Sequence, residues 1–141
     1  MKFLVICLFT ALLAGPTHAV VNQGQLTFLQ GQWIAHWSWV VPPKADAAAI
    51  LKIEWRSALS PVAVNPPGPF KVDILMPDPA MTGMMYPSVN DPLPLIGEGH
   101  ILPGIFQVSP LYFSMSGTWQ VNVHLSTGDG TETQSWSEDV Q

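Results

Sequence analysis

The chain has 141 residues, of which 48% are hydrophobic and only 11% charged, with 14 Pro and 11 Gly. So few charges, together with six Trp, exclude a disordered chain, and prolines spread along the whole length exclude a helical bundle. Five Lys+Arg against ten Asp+Glu leave a net charge of −5, which argues against a nucleic-acid phosphate backbone as partner.

The first nineteen residues read as a secretory leader. Lys2 supplies a short positive start, residues 3–14 are apolar apart from Thr10, and Thr17-His18-Ala19 places small residues where a signal peptidase reads them. Cleavage is expected after Ala19. The apolar run is too short to span a bilayer, so no membrane anchor is expected after cleavage. Cys7 lies inside this stretch, and the expected mature chain from Val20 has no cysteine. Disulfides, thiolate catalysis and thiolate metal sites are thereby excluded. Loss of Lys2 takes the formal charge from −5 to −6. A periplasmic or secreted, acidic, single-domain product follows, spanning residues 20–141.

Along that domain the hydrophobic period is two. Residues 26–29 suggest a weak first strand. Trp33, Ala35, Trp37, Trp39 and Val41 share one parity up to Pro42-Pro43, and Leu51, Ile53 and Trp55 alternate with Lys52, Glu54 and Arg56. The proline-rich stretch 60–69 reads as a stiff connector. Phe70, Val72, Ile74 and Met76 form the next face, after which residues 76–103 show no clear strand. Short strands are expected around Phe106 to Val108 and Tyr112 to Met115. Trp119, Val121, Val123 and Leu125 then form a strong alternation, and Thr127-Gly128-Asp129-Gly130 returns the chain through 131–136 as a hairpin. Seven to eight short antiparallel strands with Pro- and Gly-containing turns predict an all-β, immunoglobulin-like sandwich.

Chemistry concentrates in the long stretch after the fourth strand. Met76, Met81, Met84 and Met85 fall within ten residues, His100 lies at the far end of the stretch, and Met115 follows a later strand. Thioether sulfur is a soft, neutral ligand that favours Cu(I), and imidazole accepts either copper oxidation state. A copper site formed by Met76, Met81, Met84, Met85, His100 and Met115 is therefore one expectation. The other is that these methionines are packing residues, since the side chain adapts to irregular gaps.

Residues 70–123 resemble the YtkA-like and FixH-like domains of bacterial envelope proteins. The matching parts are Met76-Pro77, the methionine turn 81–85, the step Gly104-Ile105-Phe106, and Phe-x-Met-x-Gly-x-Trp followed by alternating valines at 113–123. The resemblance implies an immunoglobulin-like β-sandwich in an envelope setting, linked in some relatives to copper handling or oxidase assembly. Many relatives carry a compact Met-Pro-x-Met turn with histidine close behind; here Asp78, Pro79 and Ala80 intervene and His100 is farther along.

No catalytic constellation emerges. His36 and His124 oppose the core parity of their strands and read as surface residues, and no histidine pair has zinc spacing. No serine sits in a nucleophile elbow, and Asp73 with Asp78 lacks a cleft that would make an acid–base pair of them. Asp129 belongs to the hairpin turn. The expectation is a non-enzymatic copper carrier or assembly factor. The alternative is a protein-interaction module that meets an envelope partner through the long loop or a surface formed by Trp37 and Trp39.

Overall fold

The computed structural model describes residues 22–77 and 88–141. The expected leader and Met81, Met84 and Met85 lie outside these residues. Among the described residues there are nine strands and no helix: β1 (Gln23–Phe28), β2 (Trp33–Val41), β3 (Ala47–Ser57), β4 (Phe70–Leu75), β5 (Ser88–Asn90), β6 (Leu93–Gly97), β7 (His100–Phe113), β8 (Gly117–Thr127) and β9 (Gly130–Val140).

The strands form two antiparallel sheets, one ordered β1-β2-β3-β7-β6 and the other β5-β4-β8-β9. From β2 onward this is the immunoglobulin-type arrangement of four strands on four, with β1 added beside β2. The all-β sandwich expected from the period-two pattern is therefore the fold.

Alternation explains which face each strand buries. On β3, Ala49, Leu51, Ile53 and Trp55 are fully buried, while Lys52, Glu54 and Arg56 point away from the core. On β8, Trp119, Val121, Val123 and Leu125 turn inward against them from the other sheet. Aromatic rings fill both ends of the interior. Phe28, Trp55, Phe70 and Phe106 form one chain, with successive ring centres 5.1, 5.2 and 5.0 Å apart. Trp39, Phe113 and Trp119 form another, with spacings of 6.0 and 5.3 Å, and Trp37 stacks on Trp136 at 4.2 Å. Trp37 and Trp39 are thus core residues and present no ring platform to solvent.

Two expectations about the chain are corrected. The stretch 76–103 is not one strandless loop, because it contains β5, β6 and the beginning of β7. The first two are short, and β6, which carries Pro94, is the outermost strand of its sheet, where a missing N–H is tolerated. The separate strands expected near Phe106 and Tyr112 are one strand of 14 residues. It passes Pro110 by a bulge, since Ala49 pairs with Leu111 but Leu51 pairs with Val108, leaving one extra residue on β7.

Candidate functional site

One end of the sandwich collects methionine. Leu75 pairs with Gln120, so Met76 leaves β4 beside the first residues of β8. Met115 lies in residues 114–116, which carry the chain from β7 in one sheet to β8 in the other. The indole of Trp119 donates a hydrogen bond to the Met115 carbonyl at 3.1 Å, pinning this crossing to the core. Met76 is half-buried against the core, and its terminal methyl lies 3.0 Å from where a Cβ on Gly117 would stand. That contact brings the thioether end of Met76 to the same crossing. Met115 is 37% exposed. Pro77 and Ser88, which flank residues 78–87, also belong to this end, because Ser88 pairs with Ile74.

The loop 42–46 closes over the same end. Asp46 N–H donates to the Phe113 carbonyl at 2.7 Å, and Ala45 N–H to the Gln141 carbonyl at 3.0 Å. The Tyr112 hydroxyl donates to Asp46 Oδ1, and this bond to a carboxylate holds the phenol above its ordinary pKa.

His100 does not join this group. It opens β7, pairs with Gly97 across the β6–β7 hairpin turn and is exposed. A strand of 14 residues separates it from Phe113 by about 40 Å at roughly 3.3 Å per residue. The sequence pattern allowed a long loop to fold back toward Met76. The extended strand instead carries the imidazole to the opposite end of the molecule.

His124 is not a free surface imidazole. Its Nε2 lies 2.6 Å from Asp73 Oδ2 and its Nδ1 2.7 Å from Thr133 Oγ1, while Asn122 Nδ2 donates to Asp73 Oδ1 at 2.6 Å. These groups come from β4, β8 and β9, adjacent strands of one sheet, and stitch its outer face together. Asp73 is therefore occupied by this network.

The outer face of the other sheet carries a feature that sequence reading missed. Gln25, His36 and Glu54 face one another across β1, β2 and β3, and Gln23, Ser38 and Lys52 form the next rung. With Arg56 they line a polar depression of about 430 Å³. Gln23 and Gln25 precede the weak first strand expected at 26–29, whereas His36, Ser38, Lys52, Glu54 and Arg56 were legible as the polar half of a period-two alternation. Their convergence was not, because adjacency of three strands is a property of topology.

Farther across this face, beside β7, Leu93, Ile96 and Ile101 stand 64%, 67% and 65% exposed, with Ile96 directly opposite Ile101. Among the described residues no three His, Cys, Asp or Glu side chains gather in a way that would hold a metal ion. Compared with protein-family models, curated proteins and solved structures, the chain matches none.

Proposed function

We infer that the mature chain is a non-enzymatic periplasmic or secreted β-sandwich that carries copper as Cu(I) at its methionine end, as a carrier or assembly factor. One observation carries the reading: Met76 and Met115 occupy the same end, at which both flanks of the stretch containing Met81, Met84 and Met85 also lie. With His100 at the other end, and with the Asp46 and Asp139 carboxylates there already accepting from Tyr112 and Thr118, the unengaged donors at this end are thioethers. Such a set is soft and uncharged, so it favours Cu(I) over Cu(II) or zinc. The resemblance to YtkA-like and FixH-like domains supports the same reading.

The test is a Cu(I) competition titration of residues 20–141 against a chromophoric chelator. Stoichiometric binding is expected, weakened by Met76→Leu with Met115→Leu and abolished when Met81, Met84 and Met85 also become Leu. His100→Ala leaves it unchanged. Failure of the folded wild-type domain to compete would overturn the proposal and leave the methionines as packing residues.

A second reading has its own support. The exposed aliphatic strip Leu93, Ile96 and Ile101 lies on the outermost strand pair of its sheet, a feature that favours docking on an envelope protein. A photo-crosslinking residue at position 96 is expected to capture one discrete partner in intact cells, and a crosslinker at position 120 is expected to capture none.

A further inference from the structure

We propose that the depression on the outer face of β1, β2 and β3 binds an acidic saccharide, through its hydroxyls and one carboxylate. The site is independent of the methionine end. Its volume of about 430 Å³ lies within the range of small-ligand sites. Its lining, however, is mostly polar. Gln23 and Gln25 each offer amide donors and an acceptor, Ser38 a hydroxyl, and His36 a ring nitrogen of each kind when neutral. A sugar hydroxyl both donates and accepts, so a surface with mixed donors and acceptors matches it better than an apolar ligand.

Charge narrows the class. Lys52 and Arg56 are two of the four cationic side chains that follow the leader, in a chain whose net charge is strongly negative. Only one carboxylate lines the depression with them, that of Glu54. Arg56 is already engaged, donating its Nε–H to Glu54 Oε1 at 2.8 Å. Lys52 and His36 have no hydrogen-bond or ion-pair partner among the described residues. The paired Arg56 and Glu54 are pre-oriented to meet hydroxyls, while the free ammonium of Lys52 meets the carboxylate. One unengaged cation amid neutral hydrogen-bonding groups fits a ligand that carries many hydroxyls and a single charge per sugar ring.

The experiment titrates the chain with a galacturonic acid oligomer, the neutral galactose oligomer of equal length, and a sulfated oligomer, followed by backbone amide NMR shifts. The acidic oligomer is expected to bind with shifts confined to β1, β2 and β3. Lys52→Ala and Lys52→Gln are each expected to raise Kd about tenfold, the scale of losing one charge-assisted contact. His36→Ala raises it less, and Lys71→Ala on the other sheet leaves it unchanged. Circular dichroism confirms that each variant is folded. No binding of the acidic oligomer overturns the proposal, as does equal binding of the neutral one, exclusive binding of the sulfated one, or an unchanged Kd in both folded Lys52 variants.

Discussion

Glu138 offers the sharpest test of how the two sheets are joined. Its carboxylate is buried at 6% exposure, and its Oε2 accepts the indole N–H of Trp39 at 3.0 Å and that of Trp136 at 3.2 Å. Trp39 belongs to β2 and Trp136 to β9, so one oxygen links opposite sheets. In Glu138→Ala both donors lose their acceptor. Trp39 is itself buried and carries the full desolvation cost of an unmade bond, about 1–3 kcal/mol; Trp136 is half-buried and carries part of that. The expected loss is about 2–4 kcal/mol, or roughly 10 °C in Tm for a domain of this size. Glu138→Gln keeps an acceptor oxygen in place and is expected to cost about 1 kcal/mol or less. Urea unfolding followed by Trp fluorescence, with calorimetry as a second probe, measures both. Replacing a buried charge by an apolar group sometimes stabilises a protein. A Glu138→Ala variant as stable as wild type would therefore refute the reasoning, showing that desolvation of the carboxylate cancels the two bonds.

Three further perturbations are equally specific. Gly104→Ala is expected to destabilise by about 3 kcal/mol or more in denaturant titration, because residue 104 has φ +73° and its new Cβ would stand 2.4–2.6 Å from Val64 backbone atoms. Gly24→Ala would put a Cβ 2.7 Å from the Trp37 ring, so the stack of Trp37 on Trp136 must shift. A cost of about 1–3 kcal/mol and a changed near-ultraviolet dichroism spectrum are expected. Asp46→Asn removes the carboxylate that raises the Tyr112 pKa, so the phenol is expected to ionise at lower pH in ultraviolet titration of a Tyr86→Phe background. In the parent, the raised pKa favours the folded state while the phenol is protonated, and this contribution is lost as pH rises through the folded pKa; Asp46→Asn is expected to weaken that alkaline dependence.

The sandwich was legible in the sequence where one face of a strand is apolar throughout. Leu51, Ile53 and Trp55 against Lys52, Glu54 and Arg56 determine both the strand and its inward side, and Trp119 to Leu125 does the same. Edge strands gave a weaker signal, since β6 exposes Leu93 and Ile96 and has no apolar–polar alternation to read. Pro110 disguised the continuity of β7, because a proline within an apparent strand ordinarily marks its end. The candidate site was displaced for a different reason: residues 100–103, which read as the end of a loop, are the start of β7, and the length of that strand separates His100 from Met115. The contact of His124 with Asp73 was illegible for a related reason: the two are 51 residues apart, and only the placing of β4 beside β8 makes them neighbours. Thr133, by contrast, faces His124 across the hairpin that the turn at 127–130 already announces.

The connector 58–69 has a consequence for where this molecule tolerates change. It is fastened by Val64 N–H to the Trp55 carbonyl at 2.9 Å, by Asn65 Oδ1 to Gly104 N–H at 2.7 Å, and by the Pro69 carbonyl to Ser126 N–H at 2.9 Å. At Gly104 and Gly68 its main chain runs so close to β7 and β8 that no side chain fits between them. Most stretches between strands accept grafted peptides, new termini or protease sites, but this one behaves as part of the wall. The turns at Gly31, Gly99 and Gly128, where an added Cβ would meet nothing, are the places to splice a tag or reopen the chain.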